Sequence, residues 1–177
     1  MSFNYLESVK KYFHQQKSLG DKTIEQLSEE NLLWQYNEAS NSIAIIVQHL
    51  WGNMLSRWTN FLTEDGEKDW RDRDIEFETV IKSKEELVRK WNEGWQCVFN
   101  ALDSLKEEDL SKTIYIRKEA HNVGDAINRQ LTHYSNHVGQ IVYVGKMLLN
   151  EKWNSLSIPK GNSKDFNQKM MSGKRIL

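Results

Sequence analysis

The chain has 177 residues, 24 Lys+Arg against 25 Asp+Glu, and a formal net charge of -1. That balance gives no electrostatic reason to bind nucleic acid or an anionic membrane, since both call for clustered positive charge. The lone Cys97 excludes an intrachain disulfide. From this length and the lack of a leader-like start, one domain over residues 1–177 in the cytoplasm is expected, with an irregular tail from about 151.

The single proline, Pro159, leaves the first 150 residues free of the residue that most disrupts helices. Phe3, Tyr5, Leu6, Val9, Tyr12 and Phe13 recur at spacings of three and four, which predicts a first helix that stops at Gly20-Asp21. Ser28-Glu-Glu-Asn resembles a capping sequence ahead of Leu32 and Leu33, within a connector.

Asn41 or Ser42 caps a second helix with Ile43, Ile46, Val47, Leu50, Trp51, Met54, Trp58, Phe61 and Leu62 on its apolar face. The segment contains Gln48, His49, Asn53, Arg57 and Asn60, too polar for a membrane span of about 20 apolar residues. Residues 63–77, with Asp65-Gly66 and Arg71-Asp-Arg-Asp, read as a long loop. Ser83-Lys-Glu-Glu86 is a capping box opening a third helix through Val88, Trp91, Trp95, Val98 and Leu102.

Thr113-Ile-Tyr-Ile has strand-forming residues but no evident partner run, so an extended crossover is expected there rather than a sheet. A fourth helix starts near Asn122 or Asp125 and carries Ile127, Leu131, Tyr134, Val138 and Ile141 to about Asn150. The tail, with Pro159, Gly161, Ser163 and Gly173, shows no helical period. Four amphipathic helices joined by long connectors predict an all-α fold, a four-helix bundle open to crossover topologies.

Of five histidines, His133 and His137 stand four apart on the fourth helix, about 40° apart around its axis and roughly 6 Å along it. Such a pair arises by accident about one time in nine in a chain with this many histidines. Both flank the apolar stripe, and His49 does the same on the second helix. A bundle that joins these helices brings three imidazoles together, the layout of a metal site with an open position. The competing reading is three half-buried, hydrogen-bonded histidines. His14 and His121 lack such context, and neither HExxH nor a CxxC pair is present.

Three stretches carry a resemblance: residues 46–68 around His49, Asn128-Arg-Gln-Leu-Thr-His133-Tyr-Ser-Asn-His137-Val-Gly-Gln-Ile-Val-Tyr, and Trp153-Asn-Ser-Leu-Ser-Ile-Pro-Lys-Gly-Asn-Ser. In this order they resemble the DinB superfamily, and more narrowly one of its small uncharacterised bacterial branches. The resemblance implies an up-down-down-up bundle. A divalent ion, Zn or Ni first, would be held by one histidine of the second helix and an HxxxH pair of the fourth. Those positions fall on His49, His133 and His137. Superfamily members with assigned activities are similar to transferases and isomerases using low-molecular-weight thiols such as bacillithiol or mycothiol, or to metal-dependent hydrolases.

The leading expectation is therefore a metal-dependent enzyme in which the ion activates a thiol or water, with thiol transfer slightly favoured. Its partners are a small-molecule substrate or thiol and a second copy of the chain. The alternative is a non-enzymatic, stress-associated dimer binding a metal or small molecule. Asn53, Asn136 and Gln140 are placed either to orient a ligand or, as the favoured reading, to serve as ordinary polar residues at the bundle edge. Arg57, Arg71 and Arg73 are candidates to neutralise an anionic substrate, and for the loop residues Arg71 and Arg73 a surface charge network with Asp72, Asp74 and Glu76 is at least an equal reading. Cys97 reads as a small buried hydrophobe. Exposure of Trp51 or Trp58 would mark a dimer surface.

Overall fold

The structure, a computed structural model, describes residues 4–78 and 81–172. Phe3, expected in the first helix, and Gly173, expected in the tail, lie outside them. The elements are α1 (Tyr5–Gln26), α2 (Glu29–Leu33), α3 (Ile43–Trp58), α4 (Lys84–Ser104), β1 (Thr113–Ile116), β2 (Glu119–Asn122), α5 (Val123–Leu149) and α6 (Ser163–Met171). Among the described residues no helix is long and apolar enough to cross a membrane.

The fold is all-α, and α1, α3, α4 and α5 form the bundle. Contacts fix the directions. Tyr5, at the start of α1, bonds Asn128 near the start of α5, and Gln26 at its end bonds Asn154 beyond α5, so these two helices run parallel. Trp51 meets Glu93 and Met54 meets Cys97, so α3 and α4 are parallel as well. Lys10 reaches Asp103 while Asp21 bonds Trp91, which sets α1 against α4. Because α3 runs with α4, α4 against α1 and α1 with α5, α3 opposes α5, and the two meet where His49, Asn53 and Trp58 contact His133 and Tyr134. The order is up-down-down-up.

Each bundle helix gives one ring to a central aromatic cluster. Phe13, Trp58, Trp95 and Tyr134 meet edge to face at centroid separations of 5.8–6.4 Å, the geometry that ring quadrupoles favour. Trp58 is therefore a core residue and offers no dimer surface. Trp51 is half-buried, its indole N–H donating to Glu93 and its ring under the Lys90 ammonium.

Side-chain oxygens cap the helices: Ser42 Oγ accepts from Ile45, Ser83 Oγ from Glu86 and Asn122 Oδ1 from Asp125. At α4 the predicted capping box is altered, because the Glu86 carboxylate accepts from the Lys82 N–H, one residue ahead of the cap.

Several boundaries differ from expectation. α1 continues six residues past Gly20 to Gln26, because that glycine is a packing surface on which the Trp91 ring lies. α3 ends at Trp58, four residues earlier than the apolar pattern suggests, with Asn60 at φ 51° just beyond. β1 pairs with β2 in an antiparallel hairpin where an extended crossover is expected. The polar β2 sequence Glu119-Ala-His-Asn hides its role, and the turn uses Arg117 and Lys118 at φ 55° and 64°, a left-handed conformation usually left to Asn or Gly. The tail holds α6, none of whose residues is buried.

Candidate metal centre

α3 is buried nearly all round, being covered by α4, α5, α2 and the loop after it. Its polar residues are thus carried inside along with its apolar ones, and His49 is only 5% exposed. On α5 the stripe Ile127, Tyr134, Val138, Ile141 faces the core, and His133 and His137 sit at its edge facing α3.

The three imidazoles converge. His133 Nε2 lies 3.2 Å from His49 Nε2 and 3.1 Å from His137 Nε2, and the donor nitrogens of all three lie within 4.8 Å of one another. Tetrahedral metal–nitrogen bonds of 2.0–2.1 Å place donors about 3.3 Å apart. His14 stacks on Phe99 between α1 and α4, and His121 lies on β2, so neither belongs to the cluster.

The other ring nitrogens settle the tautomers. His49 Nδ1–H donates to Glu76 Oε2 at 2.9 Å, and His137 Nδ1–H donates to Gln140 Oε1 at 3.2 Å. In their neutral form both rings then present unprotonated Nε2 atoms. A neutral His133 has at most one proton on Nε2 and can satisfy only one neighbour. The remaining contact sets lone pair against lone pair, an arrangement that a shared cation relieves. The three histidines could therefore hold a metal ion.

The electrostatics agree. Burial, with the nearby His137, His49 and Arg71 charges, pushes His133 down to about 3. His137 is lowered by burial and by His49. Both rings are free bases at neutral pH, the form that binds metal.

Behind His49 stands a group that the sequence reading missed. Residues Ile75–Phe77 form a 3-10 turn that directs the Glu76 carboxylate into the bundle, where it is 6% exposed. Arg71 grips this carboxylate with two bonds, Nε to Oε1 at 2.6 Å and Nη2 to Oε2 at 2.9 Å. Burial would raise the Glu76 pKa, but the hydrogen bonds from His49 and Arg71 and the Arg71 charge outweigh it and hold the group ionised. Gly52 makes room, since a Cβ there would overlap the carboxylate. Gln48 fastens the same turn through Nε2 to the Ile75 carbonyl at 3.0 Å. A glycine three residues after His49 inside a predicted helix was the available signal of a close approach.

The other candidates divide. Gln140 contacts His137 and so departs from the favoured reading of a plain edge residue, whereas Asn53 accepts from the Tyr134 hydroxyl at 3.0 Å and Asn136 is exposed. Arg71 is spoken for by Glu76 and is buried, so it belongs to no surface network. Arg57 is buried and donates to the Gly66 carbonyl and to Glu67, and Arg73 is exposed. Cys97 is half-buried, its thiol pushed up by burial, and it lines a cleft of about 700 Å³ between α3 and α4 that no triad histidine lines.

Residues 1–162 match the family model described as "Protein of unknown function (DUF1572)". No curated protein matches the chain.

Proposed function

The chain belongs to the DUF1572 family, and from that premise we propose that it is a DinB-like metal-dependent protein. In this reading His49, His133 and His137 hold one divalent transition ion, zinc or nickel first. The observation that carries it is the convergence of three Nε2 atoms at 3.1 and 3.2 Å with two Nδ1–H groups turned outward onto acceptors. Four-coordinate zinc with three protein nitrogens keeps one position for an exogenous ligand.

When bound, such an ion supplies Lewis acidity, lowering the pKa of an arriving thiol or water toward neutrality. The chain's own residues bind and orient. Glu76, fixed by Arg71 and Gln48, holds the proton on His49 Nδ1 and aims Nε2 at the centre. Gln140 does the same for His137. No step requires a separate base if the nucleophile is a thiol, whose own acidity is close to neutral once so lowered, and thiol transfer is for this reason favoured over hydrolysis.

One observation favours a second reading, non-enzymatic binding of a metal or small molecule. Both Glu76 oxygens are taken, one by Arg71 and one by His49 and Arg71 together. Among the described residues no other carboxylate joins the three histidines.

Elemental analysis of the protein purified without a histidine tag tests the metal. About one equivalent of a transition ion is expected, lost in His133→Ala. Less than about a tenth of an equivalent, unchanged by that substitution, overturns the reading. Loaded protein inactive toward electrophile panels with several thiols, and toward esters, favours the second reading.

A further inference from the structure

The 3-10 turn beside the histidines is built inside out. Its middle residue, the carboxylate Glu76, is buried, while the flanking apolar residues Ile75 and Phe77 are 52% and 45% exposed. An exposed apolar pair around a buried charge reverses the usual partition. It is not the result of a loose segment. Glu76 bonds His49 and Arg71, Gln48 bonds the Ile75 carbonyl, and Asp72 accepts from the Asp74 and Ile75 N–H groups. The turn is fastened by its polar groups, so its apolar side chains are displayed.

Phe77 is displayed at the histidine cluster. The Phe77 ring stacks on the His49 imidazole with centroids 5.0 Å apart and planes at 25°. The same imidazole contributes Nε2 to the donor cluster. A molecule whose donor atom reaches that cluster thus brings its next few atoms within range of the Phe77 face. Trp70, 58% exposed, lies on the same loop next to Arg71.

We infer that Phe77 forms the apolar wall of the metal centre and selects ligands that carry an aromatic or other flat apolar group next to their metal-binding atom. The inference rests on the proposed metal reading. It adds that the substrate or thiol is amphipathic, with a donor head for the ion and an apolar body for the wall. A phenyl face against such a body favours it by about tenfold over a ligand that has only the head.

The test uses the full chain loaded with cobalt(II), whose visible and near-ultraviolet bands report thiolate binding without any activity assay. Cobalt stoichiometry is read first. Cobalt that does not bind, or binds equally to His133→Ala, overturns the metal reading and the wall with it. With cobalt bound, ethanethiol and 2-phenylethanethiol are titrated against the wild-type protein, Phe77→Ala and Phe77→Leu. The expected result is a preference of about tenfold for 2-phenylethanethiol in the wild type, falling below about threefold in Phe77→Ala and intermediate in Phe77→Leu, with cobalt stoichiometry retained. Equal affinities in the wild type, or a preference that survives Phe77→Ala, overturns the wall while leaving the metal reading intact. Phe77→Leu, which keeps a large apolar side chain on His49, guards against misfolding of the alanine variant. A wild-type dimer that Ile75→Asp converts to monomers, by sedimentation, also overturns the inference by assigning this face to a second copy.

Discussion

The His49 Nδ1 and the Glu76 Oε2 are 2.9 Å apart, and both side chains are almost completely buried. The two residues are 27 positions apart in sequence, so the bond joins the loop to α3 as well as fixing one tautomer. A carboxylate behind a ligating imidazole raises its basicity and holds its plane, and loss of such a partner typically costs 10–100-fold in metal affinity. Glu76→Gln keeps the shape and removes the charge. It should weaken zinc binding by roughly that factor in competition with a chromophoric chelator. It should also lower the melting temperature, since Arg71 is left buried without its counter-charge. An affinity within about twofold of wild type would show that Glu76 only packs.

Without a bound metal the protein should show a pH dependence of stability whose sign follows from the histidines. In the folded, metal-free protein His133 is depressed to about 3 and His137 is lowered too, while both titrate near 6.5 once unfolded. Between these limits the unfolded chain binds more protons, so stability must rise with pH. The metal-free protein should therefore lose stability steadily as pH falls from about 6.5 toward 3, with Glu76, lowered from 4.5, adding to the loss at the acid end. Urea midpoints at pH 7.5, 6.5, 5.5 and 4.5 measure it. The slope should flatten in His133→Gln, and a midpoint constant down to pH 5 contradicts the burial of these rings.

The helices, the caps at Ser42, Ser83 and Asn122, and the three histidines were legible because each leaves a local pattern: a period, a hydroxyl before an apolar run, an i, i+4 pair. Glu76 left none, since His49 is 27 residues away, and the hairpin was hidden by the polar sequence of β2 and by a turn that lacks Gly and Asn. Gly20 shows how a local rule misleads. A glycine-aspartate pair reads as a helix stop, yet Gly20 lies within α1 because Trp91 occupies the space of its missing side chain and donates to Asp21 at 2.7 Å. Gly20→Ala sets two effects against each other. Ala gains about 1 kcal/mol of helix propensity, while forcing a methyl group into a packed indole costs about 1–3 kcal/mol. The indole is a rigid ring anchored at its N–H, so overpacking should win, and the melting temperature should fall by a few degrees. A rise would mean that Trp91 moves aside freely, which loss of the Trp91 fluorescence environment would reveal.

The loop that carries Glu76 also carries Asp65, and that carboxylate makes the unusual hairpin turn tenable. Asp65 Oδ1 accepts from the Arg117 N–H at 2.8 Å and Oδ2 from the Lys118 N–H at 2.7 Å, with Glu67 N–H as a third donor at 2.8 Å. Burial alone would raise its pKa, and these donors together with Arg57 pull it below the usual value. Arg117 and Lys118 both adopt positive φ, which costs a non-glycine residue about 1 kcal/mol or more. Asp65→Ala should destabilise the fold by about 1–3 kcal/mol, because it removes a charged acceptor from several backbone donors. Lys118→Gly relieves the conformational cost and should raise the denaturation midpoint both in the wild type and in Asp65→Ala. Zinc affinity should stay within about threefold in all three variants. The Glu76 end of the loop has its own attachments through Arg71, Gln48 and His49. Failure of Lys118→Gly to stabilise either background would show that the turn carries no strain for Asp65 to offset.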